Sequence, residues 1–188
     1  MSFTLLGILN SQAAGGGAAE AYELISTQTA VGNVSSISFG SIPQDYKHLQ
    51  IRVSIRSTRN SGDDPLIINF NGSSTGYSYG NLYNLGSVNG TEQINRAYFA
   101  IPYIPSAQAP NTIFTPLVLD IADYSKTNKF TTVLAKLGWV TGNNYKAFNF
   151  EGGQWDNTNA LTSINFDFSL TGSNIQGGSV ISIYGVRG

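Results

Sequence analysis

The strongest constraint on this chain is a period of two. In His48–Arg56, Leu49, Ile51, Val53 and Ile55 alternate with Gln50, Arg52, Ser54 and Arg56. Successive side chains on a strand point to opposite faces, so this stretch predicts a β-strand with one buried side. Ser163–Leu170 repeats the pattern, with Ile164, Phe166, Phe168 and Leu170 against Asn165, Asp167 and Ser169. Trp139 follows Val133, Ala135 and Leu137 at alternate positions and is expected in the core. Further strand candidates are Ala21–Thr27, Val34–Phe39, Leu66–Phe70, Arg96–Ile101, Thr112–Ile121, Phe130–Val140, Tyr145–Glu151 and Val180–Val186, about ten in all. Turn residues separate them: Asn71-Gly72, Asn89-Gly90, Gly142-Asn143-Asn144, and prolines at Pro43, Pro102, Pro105 and Pro110. Asp120–Lys129 has room for one helical turn, and no amphipathic helix of ordinary length is present. The expected fold is all-β, a jelly-roll-like antiparallel β-sandwich over residues 20–188. Gly72–Asn95, polar and rich in Gly and Tyr, reads as an excursion or a distorted edge.

Residues 1–19 read differently. Phe3, Leu5, Leu6, Ile8 and Leu9 form a short apolar tip, and Gly15-Gly16-Gly17 supplies backbone freedom. No Lys or Arg precedes Lys47, as a signal peptide would require, and the run is too short for the ~20 residues of a membrane span. The expectation is an N-terminal interaction arm, with no membrane partner.

Only 11% of the residues are charged and the net charge is −1. No basic patch supports nucleic-acid binding. A surface with few charges costs little to desolvate and suits a protein packed against others. With no cysteine and one histidine, His48, neither a disulfide nor a zinc site can be built. His48 reads as an ordinary residue on the polar side of its strand. No G-x-S-x-G motif presents a nucleophile.

The carboxylates are the remaining catalytic candidates. Asp63-Asp64, before Pro65, reads as a solvated turn, with a Ca²⁺ loop as the alternative. Asp123, near Asp120, reads as a cap for the short helical turn. Glu151 and Asp156 bracket Gly152-Gly153-Gln154-Trp155, a composition that can bind sugar, although Trp155 also suits the end of a sandwich. Tyr77, Tyr79, Tyr83 and Trp155 are therefore candidate contacts for a partner or a glycan. No cofactor and no metal is expected, and the chain reads as a binding protein rather than an enzyme.

Three stretches, in order, resemble a domain of virion structural proteins of tailed bacteriophages. Ser41–Arg52 (SIPQDYKHLQIR) is similar to a pattern SI-P-x-x-Y-K-H-L-Q-I-R. Asp120–Lys129 (DIADYSKTNK) resembles D-x-x-D-Y-x-x-T-N-K, and Ser182–Gly185 matches S-I-Y-G. The resemblance spans residues 20–188 and implies a β-sandwich in a phage particle with no catalytic residues. A domain with a short arm and no fibre shaft looks like a capsid decoration (cement) protein on the phage head. It would bind the major capsid protein and copies of itself, as a homotrimer. The alternative is a tail fibre or spike component that binds a host-surface glycan.

Overall fold

The computed structural model describes residues 21–84, 87–140 and 146–187. The arm, with Phe3, Leu5, Leu6, Ile8 and Leu9, and the Gly142-Asn143-Asn144 turn lie outside them. Twelve strands and no helix occur among the described residues. They are β1 (Tyr22–Thr29), β2 (Ser36–Phe39), β3 (His48–Ile55), β4 (Asp63–Phe70), β5 (Tyr77–Asn84), β6 (Val88–Arg96), β7 (Phe99–Pro105), β8 (Thr115–Ala122), β9 (Thr131–Val140), β10 (Lys146–Trp155), β11 (Ile164–Asp167) and β12 (Val180–Val186).

Two antiparallel sheets form. The larger has eight strands in the order β1-β12-β3-β8-β9-β10-β5-β6, and the smaller has four, β2-β11-β4-β7. The expected antiparallel β-sandwich is what the chain forms. The alternating apolar sets face inward: Leu49, Ile51 and Ile55 of β3, with Leu117, Leu119 and Ile121 of β8, meet Phe39, Ile68, Phe70 and Phe166 of the small sheet. The Phe39 and Phe166 rings pack edge-on at 6.3 Å.

The turn at Asn71-Gly72 has the chemistry its residues suggest. Both have positive φ, 50° and 67°, and the Ser73 N–H closes on the Phe70 carbonyl. Asn71 tolerates this conformation, and its side chain also accepts from the Thr162 and Ser163 N–H groups, tying the turn to the next segment.

Several expectations need correction. Of the two readings of Gly72–Asn95, the distorted edge holds and the excursion does not: the stretch carries β5 and β6, a hairpin bulged between Tyr77 and Tyr79 that ends the large sheet. Asn89-Gly90 lies within β6 rather than in a turn. Asp120–Lys129 contains no helical turn, and Asp123, at φ 50°, sits in a tight turn with the Lys126 N–H on its carbonyl. Pro102 lies inside β7, opposite a bulge in β4 at Pro65, where the ladder is already interrupted. Leu170 is exposed because β11 stops at Asp167. Arg56, expected on the polar side of β3, is buried: the strand ends at Ile55 and the guanidinium turns inward.

Candidate interaction face

The four-stranded sheet covers one side of the eight-stranded sheet. Among the described residues, no strand packs on the other side. Pairing is unbroken along β10, so its side chains alternate strictly. Ala147, Asn149, Glu151 and Trp155 point inward, which turns Phe148 and Phe150 outward, each about half exposed (51% and 50%). Leu82 of β5, Val88 of β6 and Val140 of β9 are also exposed on these adjoining strands. Two grooves border Phe150, one of about 540 Å³ and one of about 240 Å³. The larger is floored by Gly80, Gly90 and Gly152 and walled by Leu82, Phe150 and Glu92.

Neighbouring glycines of β10 differ in what they do. A Cβ on Gly153 would stand 2.6 Å from Phe99 and from Tyr79, so the inner face has no room for one. A Cβ on Gly152 would meet nothing nearer than Leu134, at 3.9 Å. Gly153→Ala is therefore expected to lower stability by about 1–3 kcal/mol through overpacking. Gly152→Ala should change it by no more than about 0.5 kcal/mol. Thermal melts of the two variants check this, and equal losses would contradict the assignment of faces.

The same sheet side carries a second region toward β1. A groove of about 450 Å³ is lined by Tyr22, His48, Asp120, Thr132, Leu134 and Val186, among others. A polar ladder runs past it. Lys136 lies 3.3 Å from Asp120, and Gln50 Nε2 donates to Asp120 at 2.8 Å. Arg52 Nε donates to Gln50 at 2.9 Å, with its guanidinium 4.8 Å from the Tyr184 ring and 5.6 Å from that of Tyr22. His48 Nδ1 accepts the Asp123 N–H at 3.0 Å, so a neutral His48 carries its proton on Nε2. Asp123 is held below the usual carboxylate range by its bond from Lys129. Through its bond from the Asp123 N–H, His48 acts as a structural acceptor for the Asp123 turn.

The tyrosines and tryptophan suggested by the sequence fall elsewhere. Tyr77 and Trp155 are cross-strand partners inside the sandwich, stacked at 6.3 Å and sealed from solvent. Tyr79 is buried against Phe99 at 5.0 Å. As placed, these three cannot touch a partner or a glycan; they are core. Tyr83 is half-buried and packs on Tyr103 at 5.1 Å.

The carboxylates also depart from expectation. Asp64 is no solvated turn residue: it is fully buried in β4, accepting from Ser57 at 2.5 Å and Thr171 at 3.1 Å, with Arg59 at 3.6 Å. Burial nonetheless pushes its carboxyl up. Glu151 is fully buried and separated in role from exposed Asp156. It accepts from Asn149 Nδ2 at 3.0 Å, while Glu151 Oε1 and Asn149 Oδ1 have no partner. Burial pushes the Glu151 carboxyl up to about 8. No group of three or more metal-ligating side chains occurs among the described residues.

Compared with protein-family models, with curated proteins and with solved structures, the chain matches none.

Proposed function

We propose that this chain is a structural protein of a tailed-phage particle, of the head-decoration type, and that it works by association through the outer side of its large sheet. The observation that carries the reading is the cluster of Leu82, Val88, Val140, Phe148 and Phe150, large apolar side chains left exposed on adjoining strands. Contiguous apolar surface of this kind marks an interaction site. The three segments that resemble phage virion proteins support it from another direction. Ser41–Arg52 leads into β3, Asp120–Lys129 follows from β8, and Ser182–Gly185 lies in β12, three neighbouring strands of the sheet that carries the face. A protein that binds the assembled capsid and not its free subunit stabilises the lattice by mass action.

The test is quantitative protein composition of purified particles, with wild type and Phe150→Glu. The expected result is a copy number of the order of the capsid subunits, and loss of the protein from particles carrying the variant. Absence of the chain from particles would overturn the reading. A second reading, a tail component that binds a neutral host glycan, is favoured by the groove at Tyr22, His48 and Asp120, whose charges are already paired. It predicts few copies per particle and binding that survives Phe150→Glu.

A further inference from the structure

We propose that the outer side of β9, β10, β5 and β6 is the contact between two copies of this chain, packed sheet to sheet about a two-fold axis parallel to the strands. The inference rests on reading this side as an association surface, and it adds the partner.

The register itself carries the argument. Lys136, Phe150, Leu82 and Gly90 stand in one row across the four strands, each paired with the next. The neighbouring row is Leu134, Gly152, Gly80 and Glu92. An axis between β10 and β5 lays β10 of one copy over β5 of the other, and β9 over β6. Phe150 then meets Leu82 of the second copy. Lys136 lands above Gly90 of that copy, where no side chain stands, one row from Glu92.

The charges match as well as the shapes. Glu92 is exposed and takes part in no ion pair among the described residues. Lys136 is about half exposed and pairs within its own chain with Asp120 at 3.3 Å, an exposed pair that leaves the ammonium donors to spare for a second carboxylate. Within one chain the two lie three strands apart, about 14 Å at ordinary strand spacing, too far to pair. Between two copies they come within reach. The glycine floor fits the same arrangement. Gly152 has neither a positive φ nor a close neighbour to require glycine, yet glycine weakens a strand. Its effect is to hold open the groove of about 540 Å³ beside Phe150. Two sheets packed this way lie about 10 Å apart, as in a sandwich core. The contact is isologous, so it closes at two copies and builds no filament.

The experiment is sedimentation equilibrium of the full chain at low salt, with thermal melts as a control on folding. Wild type is expected to be a dimer. Phe150→Glu and Gly152→Val should be monomers with a near-unchanged melting temperature. Lys136→Glu or Glu92→Lys alone should weaken dimerisation ten-fold or more, and the double exchange should restore it. Because the pair cannot form within one chain, such rescue identifies the second copy. A monomeric wild type, a trimer, or a dimer unmoved by these variants would overturn the proposal. So would a dimer lost on deleting residues 1–19, since the arm would then be the link. A monomer in solution whose particle binding is lost in Phe150→Glu would also overturn it, while leaving the virion reading in place. A dimer that never enters particles would sustain the two-fold contact and remove the virion role.

Discussion

Arg56→Met should destabilise the fold by about 2–5 kcal/mol, a large share of the stability of an ordinary domain. The side chain is 1% exposed and forms no ion pair among the described residues. All its N–H groups are nevertheless used. Nε donates to Gln176 at 2.9 Å, Nη1 to the carbonyls of Pro110 and Ile113 at 2.8 and 3.0 Å, and Nη2 to those of Ser106 and Ala109, both at 2.6 Å. The connection between β7 and β8 has no sheet partner for these carbonyls, and the guanidinium stands in for one. Burial lowers the Arg56 pKa, the opposing desolvation cost that these bonds offset. Methionine fills most of the volume but takes the Arg56 donors from the Ala109 and Ile113 carbonyls, while those of Ser106 and Pro110 keep only their turn bonds from the Ala109 and Ile113 N–H groups. Lysine keeps the charge with fewer donors and no planar fork, so Arg56→Lys should recover only part of the loss. Urea denaturation gives the stabilities, and hydrogen exchange should show early opening over residues 106–113. Arg52→Ala, on the exposed ladder, should cost less than about 1 kcal/mol. A stability of Arg56→Met within about 1 kcal/mol of wild type would refute the role.

The second large effect concerns Glu151 and pH. Its folded pKa of about 8 lies well above the ordinary value of 4.5, because burial penalises the carboxylate and Asn149 offsets little of it. The folded chain therefore holds a proton that the unfolded chain has released between those values. By linkage, the contribution of Glu151 to stability is fully present below about pH 4.5, falls as pH rises toward 8, and is flat beyond. The loss is on the order of 3–5 kcal/mol. Glu151→Gln, similar in shape and unable to ionise, should match wild type near pH 4 and exceed it by that amount above pH 8. Chemical denaturation across this range, read as the difference between the two proteins, isolates this carboxyl from the others. If the two curves run parallel, Glu151 is ionised in the folded state and finds partners for both oxygens.

How the fold emerged from the residues differs from strand to strand. In β3 and β11 the apolar and polar sets alternate so cleanly that strand, period and buried side are all local properties. Asn71-Gly72 likewise dictates its turn, since both residues accept positive φ. The face proposed for association was not legible in this way. In β10, Phe148 and Phe150 look like the buried set, and Asn149 and Glu151 like the solvent set. The tertiary structure reverses them. Trp155 and Tyr77 stack at the end of the ladder, and pairing runs unbroken from there to Lys146 with β9 and to Phe148 with β5. With a side-chain period of two, burying Trp155 buries Glu151 and Asn149 and expels both phenylalanines. For the same reason Tyr77, Tyr79 and Trp155, set among Gly, Ser and Asn, look like surface aromatics in the sequence and are core in the fold. Arg56 depended on events farther off: only when residues 106–113 come to lie over the end of β3 do their carbonyls make a buried guanidinium favourable. The sequence by itself determined the all-β sandwich and most of its strands with their period, but not β5 and β6. The fold alone decided which side of β10 faces out, because that parity is set by packing at one end of a ladder and carried along it by backbone pairing.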